Sequence, residues 1–361
     1  WQFLGWLGVL AGFIVLSFYS VVAGWAVAYI FYVGGGAFAE ASVDMSGAQF
    51  DALTGSAWRM LGWHSLFMLT TVVIVARGVK GGLEQAVKWL MPALFVLLVV
   101  VVGYAMSIGD VGAAIDYLFT PDFSQVTRAS VLAALGQAFF SLSLGMGAIM
   151  IYGSYLPASA SIPKTIGLVA ICDTLVALLA GLAIFPLVFG FGLEPGSGAG
   201  LVFVSLTIAF GHMPGGQVFG ALFFALLSVA AWTSAISLLE PIAAWLVEAM
   251  HWSRRRASSV AGFGAWILGV GSLLSFNYWS HIKPFGRNFF EWSEFLSTTV
   301  MLPVGGVLVA IFAGWRMSRA STLDELGLRP GVFYSAWRFL VRIVAPLGVL
   351  VILLNSLDVI G

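Results

Sequence analysis

Charge is what this sequence has least of. Asp, Glu, Lys and Arg make up 9% of its 361 residues, against roughly 25% in soluble domains, which excludes a water-soluble globule. The formal net charge is zero, so nothing draws the chain to the phosphates of a nucleic acid. The single cysteine, Cys172, cannot form an intrachain disulfide; lying in an apolar stretch, it reads as a packing residue. The four histidines (His64, His212, His251 and His281) fall near span ends or in loops, without metal-ligand spacing. No nucleophile–base constellation and no Gly-rich phosphate loop is present, so an enzyme is not expected. The chain opens on Trp1, and no charged segment with a cleavage site precedes its first hydrophobic run. It therefore reads as a piece that begins mid-protein.

Hydrophobicity fills the space. Apolar residues make up 60% of the sequence, and the mean hydropathy is +1.01. The apolar runs are continuous rather than alternating, which predicts an all-α integral membrane protein and not a barrel. A window of about 20 apolar residues per span gives nine spans, near 4–33, 61–78, 86–107, 130–152, 165–190, 216–248, 258–277, 293–315 and 334–357. Loops are expected at 34–58 and 108–129. The Gly/Pro-rich segment from Leu193 to Gly216 is too short to cross and reads as a re-entrant or capping hairpin. Basic residues set the orientation. Twelve (Arg77, Lys80, Lys88, Lys164, Arg254, Arg255, Arg256, Arg316, Arg319, Arg329, Arg338 and Arg342) fall in one set of alternate loops, and four (Arg59, Arg128, Lys283 and Arg287) in the other. The richer set is cytoplasmic, which puts the C-terminal end outside the cell.

Polar residues inside the spans are the informative ones, because hydrocarbon penalises them. Gly136-Gln137-Ala138-Phe139-Phe140-Ser141-Leu142-Ser143-Leu144-Gly145-Met146-Gly147-Ala148 places two serines, a glutamine and a Gly-x-Gly in mid-membrane. Such a helix can unwind only where it lines a cavity, and its freed carbonyls and hydroxyls can hold a cation or a polar solute. Asp173, Glu240 and Glu294 are ionisable groups in spans. Glu240 precedes Pro241 and is as readily structural as functional, and Glu294 is as readily interfacial. Ala230-Ala231-Trp232-Thr233-Ser234 groups a carbonyl and two hydroxyls about one turn apart, although small residues also serve close helix packing. Tyr19 carries a hydroxyl to mid-depth, away from the interfacial belt where tyrosine is common.

These motifs resemble the neurotransmitter:sodium symporter family, in its bacterial branch of sodium-dependent amino-acid transporters. Phe139 to Ile149 is similar to that family's unwound sixth helix, and Thr120-Pro121-Asp122-Phe123-Ser124 to the loop before it. Phe18-Tyr19-Ser20 resembles its third helix. Thr233-Ser234, with Thr233 seven residues before Glu240-Pro241, resembles the eighth; Asp173, thirteen residues before Pro186, falls where the seventh usually has asparagine. The resemblance covers the family's third to eleventh helices. It implies a single transmembrane transporter domain over 1–361, of inverted-repeat five-plus-five fold, lacking the family's first two helices.

The same resemblance implies roles. Tyr19 would bond the substrate carboxylate, Phe140 would lid the pocket, and Ser143, Met146, Ala235 and Leu238 would line it. Ser141 and Asp173 would be ligands of a first sodium ion; the Ala230 carbonyl, Thr233 and Ser234 would hold a second. Gln137 and Glu294 would belong to the outer gate, Tyr155 and Glu248 to the inner. Asp173 would supply the negative charge that chloride provides in animal members, since Ala177 stands where chloride binders have serine; chloride would then not be required. The apolar lining favours a neutral, hydrophobic or aromatic L-amino acid. The expected protein is a sodium symporter of the inner (plasma) membrane working by alternating access, as monomer or homodimer, with no nucleic-acid partner. A different solute on the same fold, an ion channel, or a non-transporting sensor or scaffold are the alternatives.

Overall fold

The computed structural model describes residues 1–157, 159–195 and 198–357. In chain order the helices are α1 (Gln2–Gly34), α2 (Val43–Thr54), α3 (Ala57–Ala76), α4 (Val79–Ile108), α5 (Val111–Phe119), α6 (Arg128–Ser141), α7 (Ala148–Ser154), α8 (Ile162–Gly190), α9 (Gly198–His212), α10 (Gly216–Met250), α11 (Arg254–Leu274), α12 (Phe289–Arg316), α13 (Arg319–Leu326) and α14 (Val332–Ser356). Among the described residues there is no strand. Eight helices (α1, α3, α4, α8, α10, α11, α12 and α14) are long and apolar enough to cross a membrane. The ninth expected span, 130–152, falls on α6 and α7 and the non-helical interval between them.

Hydropathy alone misjudged the connections. The expected loop at 34–58 contains α2, whose N-cap Ser42 accepts the Met45 N–H and whose first turn holds Asp44. The expected loop at 108–129 contains α5, started by Asp110 accepting the Ala113 N–H at 3.0 Å. Both helices are too short for a 20-residue apolar window, and only their capping residues announce them. Beyond α5, the Ser124 hydroxyl, the Gln125 amide and the Ser124 N–H all donate to Asp122, and hold its carboxyl below the usual carboxylate range. Within the Leu193–Gly216 segment, expected as a re-entrant or capping hairpin, the described residues form one helix, α9, which turns into α10 through left-handed Gly215. Cys172 is exposed on α8, so the packing role expected of it is corrected.

The chain divides into two compact units. The first comprises Trp1–Val15, Asp122–Thr174 and Glu291–Gly361: the start of α1, all of α6 and α7, the start of α8, and α12 to α14. The second comprises Leu16–Pro121 and Leu175–Phe290. Its core is aromatic: Trp25, Tyr29 and Phe224 surround Phe203, with ring centroids 5.8, 5.0 and 5.8 Å away. In a membrane, helix association depends on such close packing, because lipid tails remove the ordinary hydrophobic drive. Small residues set the approach of α1, α3 and α11. A Cβ on Gly24 would sit 3.0 Å from the His64 backbone, and one on Gly269 would sit 2.5 Å from the His64 ring. His64 is thereby fully buried, with Nε2 3.2 Å from the Trp266 carbonyl; its place near the start of a span gave no hint of this.

Candidate functional site

The first unit carries the break that the serines and glycines predicted. Thr127 and Ser130 form a capping box that starts α6, each side chain accepting the other's backbone N–H. The helix ends at Ser141, and α7 begins at Ala148. Between them the backbone enters the left-handed region three times, at Ser143 (φ 53°), Gly145 (φ 83°) and Gly147 (φ 76°). Among the described residues, no backbone N–H bonds to the carbonyls of Ser141 to Met146. Gly145 is needed twice over: beyond its φ, a Cβ there would lie 2.5 Å from the Leu302 carbonyl oxygen of α12. A side chain at this position meets both a forbidden backbone and a neighbour that cannot yield.

At the edge of the break, the Ser141 hydroxyl donates to Asp173 Oδ2 of α8 at 3.0 Å. The carboxylate is half-buried, and a charge-assisted bond of this kind orients both groups. Carboxylate, hydroxyl and unpaired main-chain carbonyls are all hard oxygen donors, the set that suits a small hard cation. Of the other expected residues on this unit, Met146 is buried, Ser143 half-buried and Phe140 exposed. Phe140 also edges a cavity of about 110 Å³ beside Thr298 and Leu302. That space is smaller than the roughly 300 Å³ at which ligand pockets begin, and it is not the solute's place. Gln137 and Glu294 are exposed and make no hydrogen bond to each other among the described residues; Tyr155 caps the end of α7 and is exposed.

The second unit presents its oxygens without unwinding. The 35-residue α10 is unbroken through Pro241. The Ala230 carbonyl accepts from Thr233 Oγ1 at 2.8 Å and from Ser234 Oγ at 3.3 Å, which places the three expected oxygens together. Two contacts fix the helix's rotation. Trp232 Nε1 donates to Thr70 of α3 at 2.8 Å, and its ring stacks on Phe67. On the other side the Tyr19 hydroxyl lies beside the Ser234 side chain, so two residues expected to serve different ligands are neighbours. Ala235 and Leu238 are buried, and Glu248 near the helix end is exposed.

Glu240 is the residue on which the sequence left two readings open. It is fully buried and paired with Arg254 at the start of α11; Arg254 Nε also donates to the Val75 carbonyl at 3.0 Å. A buried carboxylate persists in its charged form only with such a partner. This gives Glu240 a structural role, and it gives Arg254 one that a count of loop charges cannot reveal. Metal-type clusters of His, Cys, Asp and Glu are absent among the described residues.

Comparison with known proteins gives the family. Residues 36–360 match the model of the sodium:neurotransmitter symporter family. The chain is 35% identical to the uncharacterised sodium-dependent transporter YhdH of Bacillus subtilis, covering 100% of this chain and 81% of that one. It is 32% identical to an uncharacterised sodium-dependent transporter of Haemophilus influenzae, over 99% of this chain and 79% of the relative. Among solved structures, that of MhsT in complex with L-phenylalanine superposes with a TM-score of 0.89 at 39% identity, over 99% of this chain and 81% of MhsT. Eight membrane-crossing helices, the helix break and this match together establish that the chain belongs to the sodium:neurotransmitter symporter family.

Proposed function

We propose that this protein is a sodium-coupled symporter that takes up a small neutral L-amino acid, hydrophobic or aromatic, by alternating access. The observation that carries the reading is the Ser141–Asp173 pair beside an unwound helix, 3.0 Å apart. Asp173 and Ser141 contribute to the first sodium site, and the Ala230 carbonyl, Thr233 and Ser234 to the second. In the second cluster both hydroxyls donate to the Ala230 carbonyl; on binding, they would rotate their protons away and turn lone pairs to the ion. Tyr19 is the proposed donor to the substrate carboxylate, with Phe140, Ser143, Met146, Ala235 and Leu238 as its apolar and small-residue surroundings. MhsT was solved with L-phenylalanine, which supports the aromatic class.

Sodium bound near the substrate carboxylate stabilises it, and the coupling is reciprocal, so an ion gradient drives uptake. The fixed charge of Asp173 removes the need for chloride. Gln137 and Glu294 are assigned to the outer gate, Tyr155 and Glu248 to the inner. The positive-inside count supports a C-terminal end outside the inner (plasma) membrane.

The deciding experiment is uptake of labelled L-phenylalanine and L-leucine by the complete gene product in proteoliposomes. An inward sodium gradient should drive accumulation, with chloride replaceable by gluconate. Uptake indifferent to sodium overturns the symport reading, and a severalfold fall without chloride overturns the role of Asp173.

A further inference from the structure

A cavity outside the sites above lies in the first unit, where α12 ends and α13 and α14 begin. It measures about 600 Å³ and is lined by Trp315, Arg319, Tyr334, Arg338, Phe339 and Arg342, among others. Three guanidinium groups converge on it, and aromatic rings hold them in place. Arg338 donates to the Tyr334 hydroxyl and lies 5.8 Å from that ring's centroid. Arg319 sits over the same ring at 5.6 Å. Arg342 Nε donates to the Gly314 carbonyl, and the guanidinium stands 5.1 Å from the Trp315 ring. Tyr334 itself is buried and bonded to Thr322 at 2.7 Å, which fixes the platform.

Among the described residues none of the three has an anionic partner: neither Asp324 nor Glu325 of neighbouring α13 forms an ion pair with them. A guanidinium has five N–H donors, and most of those here are uncommitted. Topology requires basic residues on one side of the membrane, but it does not require three of them to face one cavity with their charges unneutralised. The α14 side of the cavity carries exposed Phe339 and Ile343, on a helix of which 0% of the best apolar window is buried. An occupant must therefore join a multiply hydrogen-bonding anion to apolar chains.

We propose that this cavity binds the phosphate headgroup of an anionic phospholipid, with Arg319, Arg338 and Arg342 as its donors and Phe339 and Ile343 beside its acyl chains. Guanidinium forks match phosphate oxygens bidentately, and basic pockets between membrane helices are the known setting for such headgroups. The inference does not depend on the transport reading.

Native mass spectrometry of the full-length protein, titrated with phosphatidylglycerol, phosphatidylcholine or inorganic phosphate, tests it. Phosphatidylglycerol should bind selectively. Arg319→Gln, at an exposed residue whose side chain makes no hydrogen bond among the described residues, should weaken that binding about fivefold. The triple variant R319Q/R338Q/R342Q should lose the selectivity altogether, while Arg255→Gln, elsewhere on the surface, should leave it intact. Equal binding of the two lipids overturns the proposal, as does an unaffected Arg319→Gln. Inorganic phosphate that competes as well as the lipid also overturns it, since the site would then belong to a soluble anion.

Discussion

Two oxygen clusters in this molecule are built in opposite ways. In α10 the helix stays whole, and residues at i, i+3 and i+4 bring Ala230 O, Thr233 Oγ1 and Ser234 Oγ together on one face. At the α6–α7 break the helix is given up, and six residues with three left-handed torsions expose main-chain carbonyls beside Ser141 and Asp173. Two of the intact cluster's three oxygens are side-chain hydroxyls, so each of those can be removed without disturbing the fold. The broken cluster rests on backbone, so its integrity and its fold are one property. In α10 a polar face is compatible with full helical bonding; at the break, freed carbonyls are tolerable at membrane depth only where they are buried in protein or line a water-filled cavity.

Substitutions test that contrast, beginning with the largest expected effect. Asp173→Ala removes the carboxylate that Ser141 bonds at the break, and sodium-dependent uptake in proteoliposomes should fall at least about a hundredfold, as expected for losing a half-buried, charge-assisted contact. Asp173→Asn should retain more uptake than Asp173→Ala. Arg254→Ala strands the buried Glu240. Thermal or denaturant unfolding should register a loss of about 3–5 kcal/mol, and the double variant E240A/R254A should recover most of it. Gly145→Ala should destabilise by about 2 kcal/mol or more through its strained torsion and the Leu302 carbonyl. Transport should fall with it; an unchanged melting temperature with normal transport would show that the broken segment is not held as described. Thr233→Ala should be mildest: about a tenfold rise in the sodium concentration for half-maximal uptake, with an unchanged melting temperature. A large drop in stability for Thr233→Ala would erase the distinction between the two designs.

The sequence announced both clusters because each offends against the membrane. Serines and a Gly-x-Gly in mid-span have no cheap lipid-facing explanation, and hydroxyls a turn from a small residue declare a polar face. Pairing Ser141 with Asp173, 32 residues apart, needed the family resemblance, since no local spacing links α6 to α8. Other features stayed hidden for definable reasons. Helices α2 and α5 are short and lack the long apolar run that marks a span; their signals were Ser42 and Asp110, which serve equally well in turns. Glu240 could not be assigned because its partner lay in a basic run that topology already explained. His64 looked peripheral because span limits are uncertain by several residues, and burial is decided by Gly24 and Gly269 on other helices.

The Glu240–Arg254 pair also bears on how the protein enters its membrane. Only His251, Trp252 and Ser253 separate α10 from α11, so the loop to be closed is among the shortest in the chain and costs little entropy. The ion pair is thus available to the nascent hairpin as soon as Arg254 is synthesised, before distant helices exist to shelter the carboxylate. Glu240 can then partition into lipid as half of a neutral couple rather than as a naked charge, and the arginine run serves insertion as a chaperoning counter-ion as well as an orientation signal.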